Sequence, residues 1–193
     1  MDLTQGTLEE KNNRAKKMML WFGIISLTMS FAGLTSAVLV SSKRADWLTN
    51  ITIPSAFSIS TLLIVLSSVT ILLSKVFLKK SNQKRSLIML VTTLILGIGF
   101  LVSQFNGFGQ IIDQGYYLTG PSSNVTMSYL YVIAFWHILH VLVGLIVLLV
   151  VIYNHFKQRY NSNNMIGLEL SATYWHFVDI LWLLLFLFFN FFT

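Results

Sequence analysis

Five long apolar stretches leave this chain few ways to fold. They cover residues 18–40, 54–73, 86–105, 127–153 and 170–192. Each reaches the ~20 residues that a helix rising ~1.5 Å per residue needs to cross a ~30 Å hydrocarbon core. The alternating polar and apolar decads of a membrane barrel are absent, so only α-helices satisfy the backbone in lipid. The expected fold is all-α, an integral membrane bundle of five transmembrane helices. A polar tail at 1–17 precedes a single transmembrane domain at 18–193. Composition points the same way: of 193 residues 55% are hydrophobic and only 10% charged, whereas a soluble domain carries about 25% charged residues. The first apolar run is longer than the core of a cleaved signal peptide, and it is expected to remain as a helix.

The basic residues orient the bundle. Lys11, Arg14, Lys16 and Lys17 lie in the tail, Lys75, Lys79, Lys80, Lys84 and Arg85 in the second connection, and Lys157 and Arg159 in the fourth. Five helices put these eleven on one side of the membrane, against Lys43 and Arg44 on the other. The positive-inside rule then predicts a cytoplasmic N-terminus and an external C-terminus. The net charge of +6 would suggest nucleic acid as a partner of a soluble protein. Divided across a membrane it does not, and no nucleic-acid partner is expected.

The chain has no Cys, which excludes thiolate metal sites, Fe–S ligation, disulfides and a cysteine nucleophile. An ionisable group in the hydrocarbon costs about 2.5 to 3.5 kcal/mol on insertion scales, so each one calls for a reason. The first three spans contain none. They offer Ser, Thr, Gln104 and small residues, with Ser26, Ser30, Gly33 and Ala37 spaced to let another helix approach closely. In the fourth span His137, His140 and Gly144 share a face by i, i+3, i+7 spacing, and in the fifth Glu169, Thr173, His176 and Asp179 do the same. Helix rise places His140 and Asp179 within ~5 Å of one another along the membrane normal. His137 and His140 are therefore expected to meet Asp179 or His176 between the fourth and fifth helices, with Glu169 near the cytoplasmic boundary. Such a cluster admits four uses: haem ligation, a copper or zinc site, a proton relay, or a hydrogen-bonded structural contact. Tyr174, Trp175, Phe177 and Trp182 crowd the fifth span and leave little room for a macrocycle.

The residues themselves are more distinctive than their spacing. Tyr174-Trp175-His176-Phe177-Val178-Asp179, with Trp182 after it and Glu169 before it, resembles the signature of subunit III of the haem-copper terminal oxidases, the cytochrome c and quinol oxidases. His137-x-x-His140-Val141-x-x-Gly144 resembles the histidine pair of that family's preceding helix. The likeness extends through all five spans and is greatest to the short bacterial form, which lacks the first two helices of the seven-helix mitochondrial subunit. It departs in three places. Leu27 follows Ser26 where the family usually has a buried glutamate, Gly107 stands where an acid is common, and Ala134-Phe135 replaces Thr-Gly before the histidine pair.

The resemblance implies a non-redox accessory subunit in aerobic respiration, located in the bacterial inner membrane. Haem and copper would reside on subunits I and II, and this chain would carry no catalytic residue, no cofactor of its own and no metal. It would pack beside subunit I, bind phospholipid, support proton uptake and stability, and share in any larger respiratory supercomplex. Glu169, Tyr174, Trp175, Trp182 and Gly144 would be lipid or interface positions. A partner of nitric oxide reductase is the alternative within the same fold. A small membrane transporter is the alternative outside it.

Overall fold

The computed structural model describes residues 7–48, 54–120, 123–160 and 164–192. They form five helices, α1 (Leu8–Ser41), α2 (Ser55–Lys79), α3 (Gln83–Asp113), α4 (Val125–Phe156) and α5 (Ile166–Phe192). All five are long and apolar enough to cross a membrane, and they contain nearly all of the five apolar runs. Most run past the expected ends. The tail is the largest such case: α1 starts at Leu8, where the Thr7 hydroxyl accepts from the Glu10 amide and the Glu10 carboxylate accepts from the Thr7 amide. That reciprocal cap lets a charged segment begin the helix in water. Residues 1–6 of the expected tail and Pro121 of the third connection lie outside the described residues.

A repeat that hydropathy alone does not display organises the packing. Along α2 buried positions recur at 57, 60, 64, 67, 71, 74 and 78, in steps of three and four, with Ala56 buried beside the first. Buried positions follow the same rhythm in α3 at 86, 90, 93, 97, 100, 104, 107 and 111, and in α4 at 127, 130, 134, 137, 141, 144, 148, 151 and 155. In α5 they fall at 168, 171, 175, 178, 182, 185 and 189. A mean step of 3.5 residues keeps one seam of each helix turned to its neighbour, as in a left-handed coiled coil. The helices α2, α3, α4 and α5 accordingly close into a ring, each touching the next and α5 returning to α2.

The α2–α3 pair is the closest of these contacts, and its seam carries hydroxyls. Ser103 donates to the Ala56 carbonyl at 2.8 Å, the Gln104 amide donates to Ser60 at 2.9 Å, Thr70 meets Thr93 at 2.7 Å, and Ser74 donates to the Ser86 carbonyl at 3.0 Å. Small polar side chains allow the backbones to approach and then bond across the gap. The turn between these helices is equally economical. Ser81 sits at φ 57°, the Asn82 amide reaches back to the Phe77 carbonyl, and the Asn82 side chain caps α3 at Arg85. One residue thus helps end a helix and begin the next.

Helix α1 lies against α4 and α5 only. It buries Ile24, Phe31 and Val38, one residue in seven. In the stripe of Ser26, Ser30, Gly33 and Ala37 the first three are exposed and Ala37 is half-buried, and a Cβ added to Gly33 would meet nothing within 4 Å. The close approach expected for that stripe is therefore not made within this chain. Contact area decides the outcome: Phe31 lays its ring against the edges of His137 and His140, which small side chains cannot do. Beyond α1, Leu48 donates its amide to Thr126 at 3.0 Å and so ties the first connection to the start of α4. Arg44, bonded to Asp46 in that connection, holds the Asp46 carboxyl below its usual range.

Candidate functional site

The fifth helix builds the centre of the molecule from two indoles. Trp175 and Trp182 lie seven residues apart, two turns along one face. Each aims its N–H at a hydroxyl of α2, Trp175 at Ser67 over 2.9 Å and Trp182 at Thr61 over 3.0 Å. The Trp175 ring fills a space that two glycines leave open. A Cβ at Gly97 would come within 2.8 Å of it, and one at Gly144 within 3.1 Å. Trp182 continues the column, stacked on Phe57 with 6.0 Å between ring centroids, edge-on to Phe100 at 5.3 Å and tilted against His137 at 5.0 Å. Each buried indole N–H has its partner, as its burial requires.

The histidines of α4 diverge. His137 is fully buried and donates Nε2–H to the Val178 carbonyl of α5 over 3.1 Å, leaving Nδ1 bare. His140 is half-buried, bonds through Nδ1 to the Trp136 carbonyl of its own helix at 2.7 Å, and packs on Phe31. Its backbone carbonyl accepts from the Tyr174 hydroxyl at 3.1 Å. Asp179 and His176 look instead towards α2. His176 Nδ1 lies 2.5 Å from the Ser68 hydroxyl, while both oxygens of Asp179 and Nε2 of His176 are buried without a hydrogen-bond partner.

The expected meeting of His137 or His140 with Asp179 or His176 is thus absent. Azimuth decides the outcome. Val178 faces α4 and Asp179 is one residue, about 100°, further round the helix. A shared face does not say which of three neighbouring helices it addresses.

Glu169 lies at the end of the bundle that carries Lys17 and Lys75, in an ion pair with Lys17 of α1 at 3.4 Å. The pair borders a groove of about 350 Å³ that Trp21, Lys75 and Thr173 also line. A further polar site escaped the sequence reading. His155 is buried, its Nε2 lying 3.1 Å from the Ser86 hydroxyl, which is itself 3.0 Å from that of Ser74. His155 stands eighteen residues beyond His137, five helical turns along the same face. That spacing was the available signal. Among the described residues no three His, Asp or Glu side chains are grouped as metal ligands.

Residues 19–193 match the family model for cytochrome c oxidase subunit III. The chain belongs to that family. It is 28% identical to the cytochrome bo(3) ubiquinol oxidase subunit 3 of Buchnera aphidicola, over 94% of this chain and 96% of that one. It is 30% identical to the cytochrome c oxidase subunit 3 of Thermostichus vulcanus, over 84% and 80%. Against the subunit 3 of Aedes aegypti it is 31% identical over 67% of its length, spanning about half of that longer protein, 47%. Membership makes this a multi-pass membrane protein and a subunit of an oxidase complex. Within the family, two departures have local reasons. A Cβ at Gly107 would lie 3.0 Å from the Phe57 ring, so this packing has no room there for an acid. Ala134 is fully buried in the α4 seam, a place for a small apolar side chain.

Proposed function

We propose that this chain is the non-redox accessory subunit of a haem-copper terminal oxidase in a bacterial inner membrane. The observation that carries the reading is the match, over 94% of this chain and 96% of the relative, to a quinol oxidase subunit 3. Haem and copper belong to subunits I and II, and oxygen reduction takes place there. This chain packs beside subunit I, supports proton uptake and stability, and accompanies the oxidase into any respiratory supercomplex.

The eleven basic residues of one face against two on the other support a cytoplasmic N-terminus. The groove of Lys17, Trp21, Lys75 and Glu169 at that face suits a phospholipid headgroup. With Lys17 paired to Glu169, Lys75 leaves the groove one net positive charge to attract the phosphate, and the indole is at home at the level of the headgroups. Tagging the chain and isolating it in mild detergent tests the assignment. The expected result is copurification of a haem-bearing subunit I and of subunit II, identified by mass spectrometry. Recovery of the chain without any haem protein, under conditions that keep other respiratory complexes intact, overturns it.

A further inference from the structure

His140 holds a free polar atom at the depth where lipid tolerates one least. It stands thirteen residues from each end of the apolar run 127–153, ~20 Å by helix rise and too far for an imidazole to reach either surface. Its ring is pinned. Nδ1 lies 2.7 Å from the Trp136 carbonyl, an oxygen that only accepts, so Nδ1 carries the proton and Nε2 of the neutral ring is left as an acceptor. Nε2 has no partner among the described residues. The rings of Phe31 and Trp136 hold the imidazole edge-on, at 5.8 and 5.6 Å between centroids. Helix α1 gives it no donor: Thr28 and Thr35 spend their hydroxyls on carbonyls of their own helix at 2.9 and 3.0 Å.

A groove runs past His140 on the outside of the bundle. Towards one end lies a space of about 360 Å³ between Leu34 of α1 and Val132 of α4. Towards the other lies one of about 370 Å³ between Leu20 of α1 and Val143 and Val147 of α4. His140 falls between these valines along α4 and is half-buried. Gly23 and Ser30, eleven and four residues before Leu34, share its side of α1 and are exposed. Small side chains on one wall let a further helix come close.

We propose that this α1–α4 groove is where a transmembrane helix of another subunit of the oxidase complex docks, and that the helix donates an O–H or N–H to Nε2 of His140. Acyl chains carry no donor, and the hydrocarbon core has no water to serve instead. A second copy across a two-fold axis presents this same face, with its own acceptor at the same depth. A different subunit is free of that constraint, and membership in the family puts one in the same complex. The partner named here rests on the accessory-subunit reading above, whereas the groove and its unmet acceptor stand on this chain alone.

Photo-crosslinking in membrane vesicles, before any detergent is added, tests the docking face. One p-benzoylphenylalanine replaces Val143 in the groove or, as control, Ile95 of α3, both exposed. From position 143 the expected adduct, identified by mass spectrometry, is with a transmembrane helix of another oxidase subunit that carries a hydroxyl, indole or amide within one turn of the crosslink. Position 95 should not capture that helix. This arm leaves His140 intact. In a second arm His140→Gln keeps an acceptor and His140→Leu does not. Under a harsher, non-denaturing detergent His140→Leu should leave the complex about 3-fold faster than the unaltered chain, and at most about 20-fold, the range of intramembrane hydrogen bonds. His140→Gln should leave at nearly the unaltered rate. The two variants, isolated, should share one thermal midpoint, because Nε2 holds nothing within the chain. With the oxidase copurifying, adducts with lipid alone or with a second copy overturn the docking, as does equally fast release of the two variants or a haem or copper signal lost with His140→Gln. An adduct with a membrane protein outside any oxidase overturns the named partner and the accessory-subunit reading together.

Discussion

Helices α2 to α5 bury two residues in every seven along a continuous seam, whereas α1 buries one. The first four are components of a ring, and α1 is a strut laid on its outside. The difference shows that small residues have no fixed meaning in a membrane helix. Gly97 and Gly144 lie in the ring and make room for Trp175, while Gly33, in a stripe of the same appearance, faces away from every other helix. What separates them is a bulky partner opposite, not the glycine itself.

Exchanging the two kinds of glycine is the sharpest way to break that contrast. Gly97→Leu drives a branched side chain into Leu145 and Trp175, and it should cost at least the ~1 to 3 kcal/mol of ordinary overpacking. The ring should fail to form, read as loss of monodisperse protein in detergent. Gly33→Leu should change stability by less than ~0.5 kcal/mol, as exposed substitutions do. Next come the indoles. Trp175→Ala empties the centre of the ring at a cost of about 3 to 5 kcal/mol, while Trp21→Ala on α1, already 57% exposed, should leave the thermal midpoint nearly unmoved.

Smaller effects sharpen the comparison. Ser67→Ala removes the acceptor of the Trp175 N–H and should cost near the ~0.6 kcal/mol average for an intramembrane hydrogen bond, at most ~1.7 kcal/mol. Thermal unfolding of the purified chain measures it. Lys17→Ala removes the Glu169 ion pair, a half-exposed contact worth at most ~1 kcal/mol and weakened by salt. The residual difference from the unaltered chain should therefore shrink as ionic strength rises.

Much of this arrangement could be read before any coordinates. Twenty apolar residues in a row admit one structure in lipid, so five helices followed from hydropathy. Trp175, Trp182 and Gly144 stood out by type and order as lipid or interface positions; Trp175 lies against Gly144, and Trp182 packs on Phe57, Phe100 and His137. The packing seam was hidden because serines at 60, 67 and 74 alternate with Ile64, Ile71 and Leu78. Hydropathy scores those serines as interruptions, although each bonds to a neighbouring helix. His155 fell beyond the expected end of the fourth span, at a depth where a histidine passes for a solvated one. Asp179 was placed with the wrong neighbour, since Val178 and not Asp179 meets His137. Periodicity gives a face, and the identity of the helix opposite depends on how the whole ring closes.

Trp175 and Trp182 fill the centre of the ring and spend their N–H groups on Ser67 and Thr61, which leaves that centre to side-chain packing rather than to a cofactor. The most direct measurement of that claim is the fate of haem when this chain is stripped from the copurified complex by a harsher, non-denaturing detergent. The expected result is that visible haem absorption and copper stay with the remaining subunits, while the released chain, still helical by circular dichroism, shows no Soret band. Haem that leaves with this chain in stoichiometric amount would contradict it.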